Sequence, residues 1–151
     1  MPQVQGVMGP IECEDLGFTL MHEHILIANW SMRQAYADWV DLDEVIASAH
    51  VAGVVSLVAV ATTAESSHRT VALAQRYTGV FATVGIQPNY VAAAGQGDWQ
   101  QVVQLADAAG VVAVGETGLD RYWDYTPFEQ QQESFDRHLA LARQKDLPLV
   151  I

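Results

Sequence analysis

The chain of 151 residues is poor in cysteine, in positive charge and in long apolar runs. Its one cysteine, Cys13, cannot close an internal disulfide, which points to a reducing, cytoplasmic setting rather than a secreted one. Seven basic residues against 18 acidic ones leave a net charge of −11, so bulk charge does not grip nucleic-acid phosphates. A local site where a metal ion supplies the positive charge stays open. Met1–Pro10 has neither the basic residues nor the apolar stretch of a signal peptide. The longest apolar run, Val51–Ala61, is interrupted by Gly53 and Ser56 and is too short to span a bilayer, so no membrane partner is expected. No low-complexity segment, charge block or linker interrupts the chain. What is present is a chain 50% hydrophobic, enough to bury a core, at a length usual for one domain.

The apolar residues fall into short β-branched runs separated by helical patterns. Val54–Ala61, Val80–Ile86, Val111–Gly115 and Leu147–Ile151 read as strands buried on both faces, as in a parallel sheet covered by helices. A more polar run, Phe18–Ile25, reads as the first strand. Leu42, Val45, Ile46 and Ala49 keep helical spacing, as do Trp99, Val102, Val103 and Ala106, and Phe135, Leu139 and Ala142 stripe a last helix. Leu73 with Tyr77 is a weaker case. Asp41 with Glu44 and Asp98 with Gln101 read as capping boxes, Gly53 and Gly110 as helix C-terminal glycines, and Thr126-Pro127 as a helix start with Thr126 as cap. The order β-α-β-α-β-α-β-α-β implies an all-parallel α/β sheet. No Gly-rich phosphate loop follows the first strand, whereas polar residues gather at strand C-terminal ends: His22 and His24, Thr62 and Thr63, Gln87 and Glu116. In a TIM (β/α)8 barrel those ends converge on one mouth, and that is the architecture expected here.

Two short motifs carry the candidate chemistry. His22 and His24, two apart on a strand, point to one face about 6.5–7 Å apart and can reach one ion, with Glu23 facing away. The alternative is a pair of histidines satisfied by hydrogen bonds at a strand end. In Gly115-Glu116-Thr117-Gly118, alternation places Val112, Val114 and Glu116 on one face, so a carboxylate ends an apolar inward stripe. Such a carboxylate is costly unless it is paired or binds metal, the alternative being an ion pair with Arg121. Arg121 lies in the following loop and is a candidate for gripping a phosphate or carboxylate, and the aromatics Tyr122, Trp123 and Tyr125 beside it are candidates for stacking on a base or ring, with aromatic packing of the loop as the plain alternative. Gln87, at the turn Gln87-Pro88-Asn89, is a candidate to reach the same mouth. His50 and His68 read as surface residues, and His138 as a packed or hydrogen-bonded side chain. Cys13 sits in an acidic segment that disfavours a thiolate nucleophile. No Ser-His-Asp grouping stands out.

The stretch GETGLDRYWDYTPFEQQQESFDRHLALARQKDLPLVI closely resembles the TatD family of metal-dependent deoxyribonucleases, barrels of the amidohydrolase superfamily. TVGIQPNY resembles the third-strand end of that family, and the likeness runs from about Asp41 to Ile151. The start, LGFTLMHEHI, is more similar to the phosphotriesterase and lactonase families of the same superfamily. Both resemblances imply His22 and His24 as metal ligands, and the TatD resemblance implies Glu116 as a carboxylate bridging two metals. Gln87 stands where family members usually carry a histidine. The resemblance places the next ligand, a histidine ending the fifth strand, just past Ile151, with a sixth-strand histidine and an eighth-strand aspartate, the general base, to follow. On this reading residues 1–151 are the first four and a half β/α units of one barrel, about a hundred residues short of the usual length.

The resemblance implies two divalent ions (Zn, Mg or Mn) that activate a water for phosphodiester hydrolysis, with DNA ends or a small phosphoester as substrate. A phosphotriesterase-like esterase or lactonase is the second reading, and an inactive truncated metal-binding fragment the third. Open sheet edges are expected to favour self-association.

Overall fold

A computed structural model describes residues 3–6, 9–12 and 42–151. The chain divides into two compact units, Met1–Val55 and Ser56–Ile151. The expected first strand, Phe18–Ile25, lies outside the described residues, as do His22, His24, Cys13 and Asp41.

In the first unit, β1 (Gln3–Gly6) pairs antiparallel with β2 (Gly9–Glu12), Gln3 opposite Glu12 and Gly6 opposite Gly9. The purely parallel, alternating order expected from the sequence misses this hairpin. Its signal is a two-residue connection flanked by glycines, the usual hairpin punctuation. Helix α1 (Leu42–Val51) forms where the spacing places it, and Gly53, at φ 92°, ends it as expected. There Gly53 N–H donates to His50 O at 3.0 Å and Val54 N–H to Ala49 O at 2.9 Å.

The second unit is a parallel sheet in the order β3 (Leu57–Ala59), β4 (Val80–Val84), β5 (Val111–Val114). Between the strands run α2 (Ala64–Arg76), a 3-10 segment (Pro88–Ala93) and α3 (Asp98–Leu105), and α4 (Phe128–Lys145) follows β5. The expected strand Leu147–Ile151 narrows to a parallel bridge between Leu149 and Val114, flanked by Val114 N–H to Pro148 O and Val150 N–H to Val114 O, both 2.9 Å. Pro148 accepts but has no N–H to donate, so the ladder there stays short.

The core lies between sheet and helices. Ala82, Val84 and Ile86 from β4 and its end, with Val114 from β5, meet Val71 of α2, Val102 of α3 and Leu141 and Ala142 of α4. Val84, Val102 and Val114 are wholly buried. On the other sheet face Val58, Val60 and Phe81 are 53%, 42% and 37% exposed. Among the described residues, the burial expected on both faces holds on the helix face, where α2, α3 and α4 supply one layer.

Register corrects a second expectation. Ala82 pairs with Val111 but Thr83 pairs with Ala113, so Val112 is an inserted residue. The bulge moves Val114 onto the helix face beside Val84, and Val112, Val114 and Glu116 do not form one inward stripe. Three caps also differ. Thr63 caps α2 in a reciprocal box with Ser66, instead of pointing into a mouth. Gly97, at φ 108°, precedes α3, and the Asp98 carboxylate accepts from Gly95 N–H at 2.8 Å. Pro127 rather than Thr126 caps α4.

Candidate functional site

Beyond the formal ladder, the strands of the second unit stay tied, and this fixes where the polar residues emerge. Gln87 N–H donates to Thr62 O at 2.9 Å, Gly115 N–H to Val84 O at 2.8 Å and Glu116 N–H to Ala61 O at 2.7 Å. The buried hydroxyl of Thr83 accepts from Ala61 N–H at 3.1 Å and donates to Gly115 O at 2.6 Å. One side chain on the middle strand thus holds both neighbouring strand ends. Gly85 and Gly115 permit the close approach: a Cβ on Gly85 would lie 2.7 Å from Gly115 Cα, and one on Gly115 would run into Val150 O.

This frame brings Glu116 and Gln87 together. Gln87 Nε2 donates to Glu116 Oε1 at 3.2 Å. Both are half-buried. Among the described residues no lysine or arginine pairs with Glu116. The ion pair considered for it with Arg121 is absent, because the Arg121 guanidinium lies over the Phe128 ring at 3.9 Å. A half-buried carboxylate whose described side-chain partner is a neutral amide fits a ligand for a divalent cation. No three His, Cys, Asp or Glu side chains converge among the described residues. Of the residues singled out from sequence, the structure brings together Gln87 and Glu116. Arg121 packs on the first residue of α4, and Tyr122 is 84% exposed.

Two parallel ties join the loop after β4 to the loop after β5. Beside Gln87–Glu116, Asn89 Nδ2 donates to Asp120 Oδ2 at 2.7 Å. Asp120 Oδ1 accepts from Tyr122 N–H at 2.7 Å and Trp123 N–H at 3.3 Å, and its own N–H donates to Gln131 Oε1 at 2.8 Å. These donors, the Asn89 amide first, hold the Asp120 carboxyl below its ordinary value. Thr126, nearly buried, accepts from Ala92 N–H at 3.2 Å, which is what draws it away from capping α4. Asp120 is the organising residue that sequence reasoning passed over. Its signal was position: an aspartate two residues before two backbone N–H groups in a turn.

His138, on α4, is fully buried and structural. Its Nε2 accepts from Ile86 N–H at 3.0 Å and its Nδ1 donates to Ser134 O at 2.7 Å, so both neighbours dictate the neutral tautomer. Burial pushes its pKa below the ordinary 6.5. The ring meets Trp99 edge-on at 4.8 Å. His68 bonds Gln101 at the surface. A hollow of about 380 Å³ beside Trp99, Glu133 and Arg137 is not lined by Glu116 or Gln87 and plays no part in this site.

Comparison with known proteins adds to this geometry. The family model of the TatD related DNases matches residues 26–151. An uncharacterized metal-dependent hydrolase of Escherichia coli, YjjV, is 38% identical over 66% of this chain and 39% of its own length. A 3'-5' ssDNA/RNA exonuclease TatD of Pectobacterium atrosepticum is 32% identical over 74% of this chain and 43% of its own. The crystal structure of YjjV, a TatD homolog, superposes with TM-score 0.59 and 37% identity, covering 63% of this chain and 38% of that one. The chain thus spans about two fifths of the length of these relatives. The likeness makes the parallel sheet of Ser56–Ile151 part of a barrel of the TIM type, as expected from the strand-end residues.

Proposed function

The chain belongs to the TatD related DNase family, and from that premise we propose that it carries part of the centre of a metal-dependent phosphodiesterase that trims single-stranded DNA from its ends. The observation that carries the reading is Glu116, a half-buried carboxylate at the strand ends, steadied by a neutral amide and left without a cationic partner among the described residues. A relative named as a 3'-5' ssDNA/RNA exonuclease supports nucleic-acid ends as the substrate class. Relatives named as metal-dependent hydrolases support divalent metal.

In this proposal Glu116, with His22 and His24 of the run expected from sequence to be a strand, would hold two divalent ions. When bound, such ions lower the pKa of a water and stabilise charge on a phosphoryl oxygen. Gln87 orients the Glu116 carboxylate by donating to Oε1. Arg121 and Tyr122, on the loop that follows, contact the substrate. Residues 1–151 would then be the front portion of one barrel. No helix among the described residues is long and apolar enough to cross a membrane. The single cysteine keeps a cytoplasmic setting within the proposal.

Elemental analysis of the purified chain together with metal-dependent binding of a labelled single-stranded oligonucleotide tests the reading. Bound divalent metal and chelator-sensitive retention of the oligonucleotide are expected, with Glu116→Gln losing both. Metal content and binding indifferent to Glu116→Gln would remove Glu116 from the centre.

A further inference from the structure

A chain with a net charge of −11 and seven basic residues needs some means other than bulk charge to hold a polyanion. The loop between β5 and α4 supplies one. Trp123 and Tyr125 stack with ring centroids 5.4 Å apart and planes 14° apart, and Tyr122 meets Trp123 edge-on at 4.8 Å. These rings are not core residues: Trp123 is 49% exposed and Tyr125 63%. The backbone beneath them is nevertheless fixed. The Asp120 carboxylate takes the N–H groups of Tyr122 and Trp123, and Asn89 holds that carboxylate from the neighbouring loop. Polar ties, not the rings, order this loop, so its exposed aromatic surface is spare for a ligand. The loop also leaves β5 through Glu116, which starts it four residues before Asp120.

We infer that the Trp123–Tyr125 pair is a subsite for an unpaired nucleobase of single-stranded nucleic acid, presented by Asp120 as its positioning residue. Stacking suits an acidic chain because it needs no phosphate contact and tolerates any base, each having a π-face. Fixing the rings before the ligand arrives removes the ordering cost that a mobile loop would impose. Duplex DNA, whose bases are already stacked in pairs, offers no free face to this surface. The inference rests on the proposed nuclease reading and specifies how its substrate is gripped.

Equilibrium binding of a short labelled thymidine oligonucleotide to the full chain, with divalent metal present and read by fluorescence anisotropy, provides the test. Trp123→Ala is expected to raise Kd about tenfold, the size of one lost base stack. The effect should vanish on an oligonucleotide carrying an abasic residue at one particular position, because no base is left there to stack. Trp123→Phe should recover most of the loss, and Asp120→Asn should show a smaller rise in Kd. Thermal unfolding followed by circular dichroism confirms that each variant is folded. An unchanged Kd in Trp123→Ala, or a rise equal on every abasic oligonucleotide, overturns the subsite while leaving the nuclease reading intact. A wild-type chain that binds no single strand overturns the subsite too, and the metal content of the wild type and Glu116→Gln tests the nuclease reading separately.

Discussion

At the scale of single residues, what decides reactivity here is which groups have had their hydrogen bonds committed. Glu116 has one neutral donor from a side chain, while Asp120, four residues on, is saturated by three. The first keeps lone pairs for a cation and the second has spent them on a loop. Replacing Gln87 by Leu removes the donor on Oε1, so metal affinity should fall by about tenfold or more, the usual effect of losing a partner of a ligand, while Gln87→His should retain affinity. Metal titration by calorimetry reads this. His138 illustrates the opposite case, a titratable side chain used as structure. Its folded pKa lies below 6.5, so the unfolded chain takes up the proton first. Its stabilising contribution is complete above pH 6.5 and declines as pH falls below it, since the imidazolium cannot accept from Ile86 N–H. Urea unfolding at pH 7.5 and 5.5 should show the wild type losing stability at the lower pH, and His138→Gln losing less.

At the scale of elements, the strand ends depend on a hydroxyl and two glycines. Thr83→Val keeps the volume of the side chain but orphans Ala61 N–H and Gly115 O, both donor and acceptor being buried. The expected loss is about 2–6 kcal/mol by urea denaturation, from roughly 1–3 kcal/mol for each of the two unsatisfied groups. Gly115→Ala is strained by φ 139° and by the Val150 backbone, and roughly 3 kcal/mol of destabilisation is expected. Neither dependence could be read from the sequence, because both arise where strands meet. Strand and helix identities were legible: the β-branched runs at Val80 and Val111 became β4 and β5, and the stripe through Val102 became α3. Alternation failed at Val112, since a bulge is set by the partner strand and leaves no mark in a run of four apolar residues. Capping failed at Thr126 for a similar reason. Its hydroxyl had a better claim from Ala92 N–H, a contact between loops distant in the sequence. The pairing of Gln87 with Glu116 was half legible: each was marked by its place at a strand end, but their contact depends on the Ala61 and Thr62 carbonyls that seat both backbones.

At the scale of the whole molecule, two properties of the surface have measurable consequences. The sheet face bearing Val58, Val60 and Phe81 is apolar and partly exposed among the described residues. It should drive concentration-dependent self-association of the 151-residue chain, which sedimentation velocity would register and Phe81→Ser would weaken. The charge balance makes the other consequence. A protein that neutralises 6–10 phosphates loses about 10³–10⁵ in affinity between roughly 50 and 200 mM salt, through counterion release. A chain with seven basic residues, of which Arg121 leans on Phe128 and Lys145 pairs with Asp107 at 2.6 Å, has few cations to commit to a backbone. If stacking on Trp123 and Tyr125 and metal contacts at the phosphate carry the affinity, Kd for a short oligonucleotide should rise less than about tenfold over that salt range. The shallow slope should persist in Trp123→Ala at its higher Kd, because stacking releases no counterions. A steep slope in the wild type would instead mean that phosphate contacts dominate, and that the acidic surface conceals a basic track which the described residues do not supply.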